Sequence, residues 1–292
     1  MKTIEISQPK GAAASYLDVL LASRKPSTVV DALPEVTLVR PQLVVDADHI
    51  ARYASVCGFH AAQGGPVSYP QLLTFPLLMA FFGSADCPWP AMGTVHLANR
   101  IVQHQRLNAG ERVRVEVQTG RLLAHEKGQI FELELRILRA DTLVWEATQT
   151  LLRLGVRQPA GAAYASRLNT ELALSHQADF FAPAGIGRRY GRVSGDLNPI
   201  HLFALSARLF GFRRAIAHGM WTQARALAAL LPRASVEQAE LTVEFKTPLF
   251  LPARATLWST REIRGTLQQA ALFEVRNARG DKPHLRAQLD YQ

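Results

Sequence analysis

The chain has 292 residues, enough for one large domain or two of about 150. Hydrophobic residues make up 48% and charged residues 20%, which excludes wholesale disorder and collagen-like repeats; the two cysteines, Cys57 and Cys87, are too few for a disulfide framework and sit at no metal-ligand spacing. A net charge of +9 admits nucleic acid, anionic lipid or small anionic ligands, but no zinc-finger spacing, RNA-binding aromatic motif or long basic amphipathic helix accompanies it.

Residues 1–34 read as an N-terminal extension around one short helix, Ala14–Ala22. Met1 to Ile6 lack the charged-then-apolar order of an export signal. No segment approaches the roughly 20 apolar residues of a membrane helix. With the sparse cysteines, these features predict a cytoplasmic protein without membrane association.

Residues 35–156 form the first predicted domain. Leu43-Val44-Val45 is extended, Asp46 or Asp48 caps a helix over Ala47–Val56, and Gly64-Gly65-Pro66 is a loop. An apolar helix over Leu72–Phe82, containing Pro76, comes next. The period then changes to two. Val113, Val115 and Val117 alternate with polar residues, as do Phe131, Leu133, Leu135 and Ile137, and Thr142–Leu152 is a further strand. This pattern predicts antiparallel strands with one wet face.

Residues 157–163, with Pro159, Gly161 and three alanines, are the predicted linker. In residues 164–292 the same order recurs: a polar loop, an apolar helix over Met220–Leu231, then strands at Leu241–Phe245, Ala255–Thr260, Leu267–Arg276 and Leu285–Tyr291. Tyr53, Val56 and Gly58 recur as Tyr190, Val193 and Gly195 at a fixed offset of 137 residues. Matching residues within matching element order predict a duplicated domain. An apolar helix followed by an alternating sheet is α+β, the helix lying on one sheet face. Gly185-Ile186-Gly187 is no dinucleotide fingerprint, because Tyr190 stands at the third glycine position and no strand precedes the run.

One segment carries chemistry: Ser194-Gly195-Asp196-Leu197-Asn198-Pro199-Ile200-His201, followed by Phe210-Gly211 and His218-Gly219-Met220. Alone, Asp-Leu-Asn-Pro is an Asx turn or helix cap. Read as a hydrolase triad, Ser194, Asp196 and His201 lack the nucleophile elbow. Asp196, His201 and His218 lack a characteristic metal-ligand spacing. The compound pattern, however, resembles the R-specific enoyl-CoA hydratases and MaoC-like acyl dehydratases, down to the eighteen-residue step from His201 to Gly219. Ser68-Tyr69-Pro70, Phe75-Pro76-Leu77 and Val95 to Arg100 resemble the members with two hot-dog domains.

The resemblance implies a double hot-dog fold, each half a sheet wrapped around a central helix. It implies reversible hydration of trans-2-enoyl thioesters to (R)-3-hydroxyacyl thioesters. Asp196 and His201 are the implied acid–base pair, Gly219 the implied backbone donor to the thioester oxygen, and Asn198, Pro199 and Ser194 the implied supports of the turn. Phe59 and Gly64 align with Asp196 and His201, so the N-terminal domain is expected to be catalytically degenerate. Leu227 stands where relatives often carry a serine, and the usual Gly-Asp after Phe245-Lys-Thr-Pro248-Leu is absent at Leu251 to Arg254.

No organic cofactor or metal is expected. The expected partner is an acyl-CoA substrate, with an acyl carrier protein open and no nucleic acid; the protein would be a monomer or a homodimer. Seven arginines against one acidic residue, Asp196, between Gly185 and Arg225 suit either anionic carrier, or a solvated face. His218 is expected to order the turn before Gly219. His60, His96, His104 and His125 are expected at the surface or in the polar core, and Trp221, Phe245 and Phe250 in packing. An acyl-CoA thioesterase and a non-catalytic acyl-thioester-binding protein are the competing readings.

Overall fold

The computed structural model describes residues 2–168, 173–260, 262–264 and 268–292. The N-terminal segment is more than an appendage. β1 (Lys2–Glu5) runs parallel to β2 (Val36–Val44), with Ile4 opposite Leu38. Four residues are too few to show alternation, which is why sequence periodicity indicates only a helix there. That helix, α1 (Ala12–Leu21), buries Val19 and Ser15.

Asp46 caps α2 (Ala47–Cys57), its Oδ1 accepting from the Asp48 N–H at 2.8 Å, an interaction of about 1 kcal/mol. The helix ends at Gly58, whose φ of +79° is left-handed backbone that glycine adopts without steric cost. α3 (Pro70–Gly83) covers the predicted apolar helix and starts earlier, with Pro70 in the first turn where a missing N–H costs nothing. Nine of its fourteen residues are buried, so it shows no one-sided pattern. α1 packs on its end, where a methyl on Gly83 would lie 2.9 Å from Asp18 Cβ.

β3 (Thr94–Gln103), β4 (Arg112–His125), β5 (Gly128–Arg139) and β6 (Thr142–Leu154) complete the first half. β3 escapes the periodicity reading because it turns polar residues inward. Asn99 donates to Gln71 Oε1 at 2.9 Å, and Gln103 donates to the Val236 carbonyl at 2.9 Å. Inside the predicted linker, β7 (Ala162–Ala163) adds a short parallel pairing to β4.

The second half holds β8 (Ser175–Ala182), α4 (Ile186–Ser194), α5 (Pro199–Leu202), α6 (Ala204–Arg208), α7 (Gly219–Leu230), β9 (Ala239–Phe245), β10 (Ala253–Ser259), β11 (Glu262–Arg264), β12 (Gln268–Asn277) and β13 (Pro283–Tyr291). The predicted polar loop thus contains β8 and three short helices. Leu267, the first residue of one predicted strand, lies outside the described residues.

Among the described residues the strands form one sheet in the order β1-β2-β4-β5-β6-β3-β9-β13-β12-β10-β8. The second half repeats the first in reverse, and the two meet antiparallel at β3 and β9, with Ile101 opposite Leu241. Equivalent helices also meet: α2 packs on α4, with the Tyr53 and Tyr190 ring centroids 6.3 Å apart. Gly58 and Gly195, the matched glycines of the repeat, both terminate their helices at φ +79°. One hydrophobic cluster runs through both halves, from Val36 and Phe131 to Leu227 and Phe273. This α+β architecture is the double hot-dog arrangement. Among the described residues no helix is long and apolar enough to cross a membrane.

Candidate active site

α4 ends at Gly195, and the chain turns through Asp196 and Leu197 into α5. Ser194 Oγ accepts from the Asp196 N–H at 3.1 Å, and Asn198 Oδ1 caps α5 by accepting from the Ile200 N–H at 3.3 Å. Pro199 occupies the first helical position, its fixed φ suited to that turn. Gly187 lets α4 lie directly against the backbone of His201, since a methyl there would fall on the His201 carbonyl oxygen. Gly191 does the same for the Asp196 carbonyl, at 2.7 Å from a methyl position.

These supports bring Asp196, His201 and His218 together, with one ligating atom from each within 4.8 Å of the others. His201 Nδ1–H donates to the Ile216 carbonyl at 2.9 Å, leaving Nε2 with its lone pair facing away. His218 Nε2–H donates to the Asp196 carbonyl at 3.1 Å and lies 3.7 Å from Asp196 Oδ2. The two imidazoles stack, their centroids 3.7 Å apart. His218 thus joins the start of α7 to the Asp196 turn, and it also forms one wall of the cluster.

Burial lowers the pKa of both imidazoles, His218 to about 3 with His201 adding to its shift, while the carboxylate pulls the other way. Burial alone would raise Asp196. The neighbouring imidazoles, a hydrogen bond from Tyr16 and the Asn198 N–H outweigh it and hold the carboxyl below its usual range. At neutral pH the site therefore presents a carboxylate beside two neutral imidazoles. In the unfolded chain those imidazoles take up protons near 6.5. Their contribution to stability is complete above that pH and is lost as pH falls toward the folded values. The melting temperature is expected to be level between pH 7 and 8 and to fall steadily below about pH 6.5; a melt unchanged down to pH 4 would contradict buried neutral imidazoles.

Gly219 opens α7, whose first amides have no carbonyl one turn back and carry the positive end of the helix dipole. A methyl on Gly219 would meet the Phe245 ring at 2.8 Å, so glycine is what lets that ring close over the helix start. The Phe245 ring in turn lies against His96, centroids 4.9 Å apart with the planes tilted by 55°. Burial lowers the His96 pKa to about 4, against a smaller opposite pull from Asp196. His96 is thus part of the polar surroundings of the site, unlike the exposed His60. Phe59 and Gly64 lie away from any such cluster: Phe59 is buried against Tyr53, and Gly64 turns the chain at φ +65°.

Trp221 and Leu227 are buried on α7, and Phe250 lies under the guanidinium of Arg213 at 4.7 Å. Five of the seven arginines, Arg189, Arg192, Arg208, Arg213 and Arg214, are exposed. Arg188 instead donates to the Leu202 carbonyl at 2.8 Å, and Arg225 lies over Phe180. Tyr16, on α1, is the residue that sequence reading did not find: its hydroxyl donates to Asp196 Oδ1 at 2.7 Å. No motif marks it, because the contact spans 180 residues.

The described arrangement can be compared with known proteins. A MaoC like domain matches residues 180–276. The chain is 33% identical over 260 residues to 3-hydroxyacyl-thioester dehydratase X of Mycobacterium tuberculosis, covering 87% of this chain and 90% of that protein. The crystal structure of that protein, HtdX, superposes with a TM-score of 0.71 at 31% identity, over 87% of this chain and 98% of the other. A MaoC-like dehydratase from Phytophthora capsici shares the fold at TM-score 0.72 and 17% identity, over 90% of this chain and 96% of its own. A further Mycobacterium tuberculosis protein described as having a double hot-dog fold matches at TM-score 0.56 and 13% identity, covering 86% of this chain and 93% of that one.

Proposed function

Because the chain belongs to the MaoC-like dehydratases, we propose that it is a hydro-lyase acting on fatty-acyl thioesters, adding water to trans-2-enoyl thioesters or removing it from (R)-3-hydroxyacyl thioesters. The observation that carries the reading is the juxtaposition of Asp196 with His201 beside the opening turn of α7. His201 Nε2 is a lone-pair acceptor fixed by the bond at Nδ1, and the Asp196 carboxylate in the same cluster is a second acceptor. A water held between them points its oxygen outward as a nucleophile for C3 of the enoyl group. The pair takes the proton that the water loses and returns one to C2, so no net proton is consumed. The Gly219 N–H stabilises the enolate-like charge on the thioester oxygen, a contribution of roughly 2.7–4 kcal/mol for one such donor.

Acyl-CoA is the substrate we assign, with acyl carrier protein as an alternative thioester donor. The exposed arginines from Arg189 to Arg214 suit the anionic character of both. Action in the cytoplasm and a degenerate N-terminal half, residues 35–156, belong to the same reading. That half supplies α3, and its Phe75 ring packs against Gly195 beside the reacting turn.

The test is direct. Purified protein mixed with crotonyl-CoA and longer trans-2-enoyl-CoAs is expected to remove the conjugated-thioester absorbance and to yield the (R)-3-hydroxyacyl product. A chelator is expected to leave the rate unchanged, since the acid–base pair needs no cation, although Asp196, His201 and His218 lie close enough to hold one. Release of free thiol from saturated acyl-CoA without hydration would assign a thioesterase instead. Activity abolished by chelator and restored by a divalent cation would assign the cluster to a metal.

A further inference from the structure

Building on the hydration reading, we propose that Tyr16 is a positioning residue for the Asp196 carboxylate, carried to the site by the N-terminal helix. Two donors converge on Asp196 Oδ1: the Tyr16 hydroxyl at 2.7 Å and the Asn198 N–H at 3.1 Å. With Oδ1 engaged twice, Oδ2 is the oxygen left toward the imidazoles, 3.7 Å from His218 Nε2. A carboxylate without the tyrosine would be free to rotate about its Cβ–Cγ bond and exchange its two oxygens.

The delivery of that hydroxyl is built into the first half of the chain. α1 buries Val19 against the core and approaches α3 closely at Gly83. Lys10 pairs with Asp18 at 2.6 Å, and after the helix Lys25 Nζ donates to the Cys87 carbonyl at 2.8 Å. β1 ties the chain before the helix to β2. The segment is therefore held at both ends, and Tyr16 reaches across to a residue of the other half.

The contact is charge-assisted and partly shielded from water, where such bonds are strongest. Burial and the adjacent carboxylate both push the Tyr16 hydroxyl above its ordinary value, so it remains a donor throughout the working pH range. Besides Tyr16, the titratable groups acting on Asp196 are His201 from α5, His218 before α7, and more weakly Tyr190 from α4 and His96 from β3. A hydroxyl donating to the carboxylate favours its charged form, so its removal moves the Asp196 titration to higher pH.

Tyr16→Phe removes the hydroxyl and keeps the ring. It is expected to lower kcat for crotonyl-CoA hydration about ten- to hundredfold, as for loss of a hydrogen bond to a charged group. KM should change by less than about twofold, and the acid limb of the kcat profile should move to higher pH. Leu20→Ala, at an exposed position of the same helix, should match wild type in all three. An unchanged profile, a raised kcat, or a rise in KM alone would overturn the positioning role. If wild type hydrates no enoyl thioester, the hydration reading itself fails, and the contact is then judged by melting temperature. The deficit of Tyr16→Phe relative to wild type should be larger at pH 7 than at the lowest pH at which both stay folded, because stability from a carboxyl held below its usual range is lost as pH falls through its titration. An equal deficit at both would overturn it.

Discussion

Asp196→Asn and His201→Ala should each lower kcat for enoyl-thioester hydration by about 10²- to 10⁴-fold, the range that a positioned acid–base group supplies. In the proposed mechanism the two changes act on one water and one proton pathway. Their combination should therefore cost little more than the worse single variant. Asn keeps the shape of Asp196 and an oxygen for the Tyr16 hydroxyl, yet it removes the negative charge beside His201. Its KM is expected to stay near wild type. His201→Ala also empties space beside the stacked His218 ring, so its melting temperature has to be measured with the rate. Near-wild-type kcat in either well-folded variant would remove the pair from the chemistry.

Gly187→Ala is the second large effect, and it concerns backbone instead of chemistry. The added methyl would coincide with the His201 carbonyl oxygen, and no flexible side-chain end is available to move aside. α4 must retreat from α5, which carries His201. Overpacking of this kind costs about 1–3 kcal/mol, and a shift near 1 Å at a reacting group costs about 10²-fold in rate. The expected result is a clear fall in both melting temperature and kcat/KM. Gly185→Ala is the matched control, because a methyl there meets only the Arg188 guanidinium at 3.5 Å. Gly187→Ala indistinguishable from Gly185→Ala would mean that the α4–α5 approach does not set the position of His201.

The contrast between these glycines shows what local sequence can carry. Gly185 and Gly187 look alike in the sequence, and the run is readily discarded as a failed dinucleotide motif. Only the packing of α4 against α5 separates one indispensable glycine from one that is nearly free. His96 is a similar case. It stands in β3, a strand whose inward Asn99 and Gln103 hide the alternation, and it comes near the site through Phe245.

The sequence by itself determined the features written in neighbouring residues. Alternation over Val113–Val117 and Phe131–Ile137 marks half-buried strands, and the apolar run over Leu72–Phe82 marks a buried helix. The repeat of Tyr, Val and Gly marks the duplication. The turn from Asp196 to His201 and the helix start at Gly219 are legible because a short turn and a cap are local structures, while the proposed acid–base role of Asp196 and His201 rests on the family resemblance of that motif. The tertiary structure alone decided the rest: the reversal of strand order about the β3–β9 seam, the stacking of His218 on His201, and the reach of Tyr16 to Asp196. Those contacts join residues far apart in the chain, where burial of side chains in a shared core sets the geometry and no short-range pattern records it.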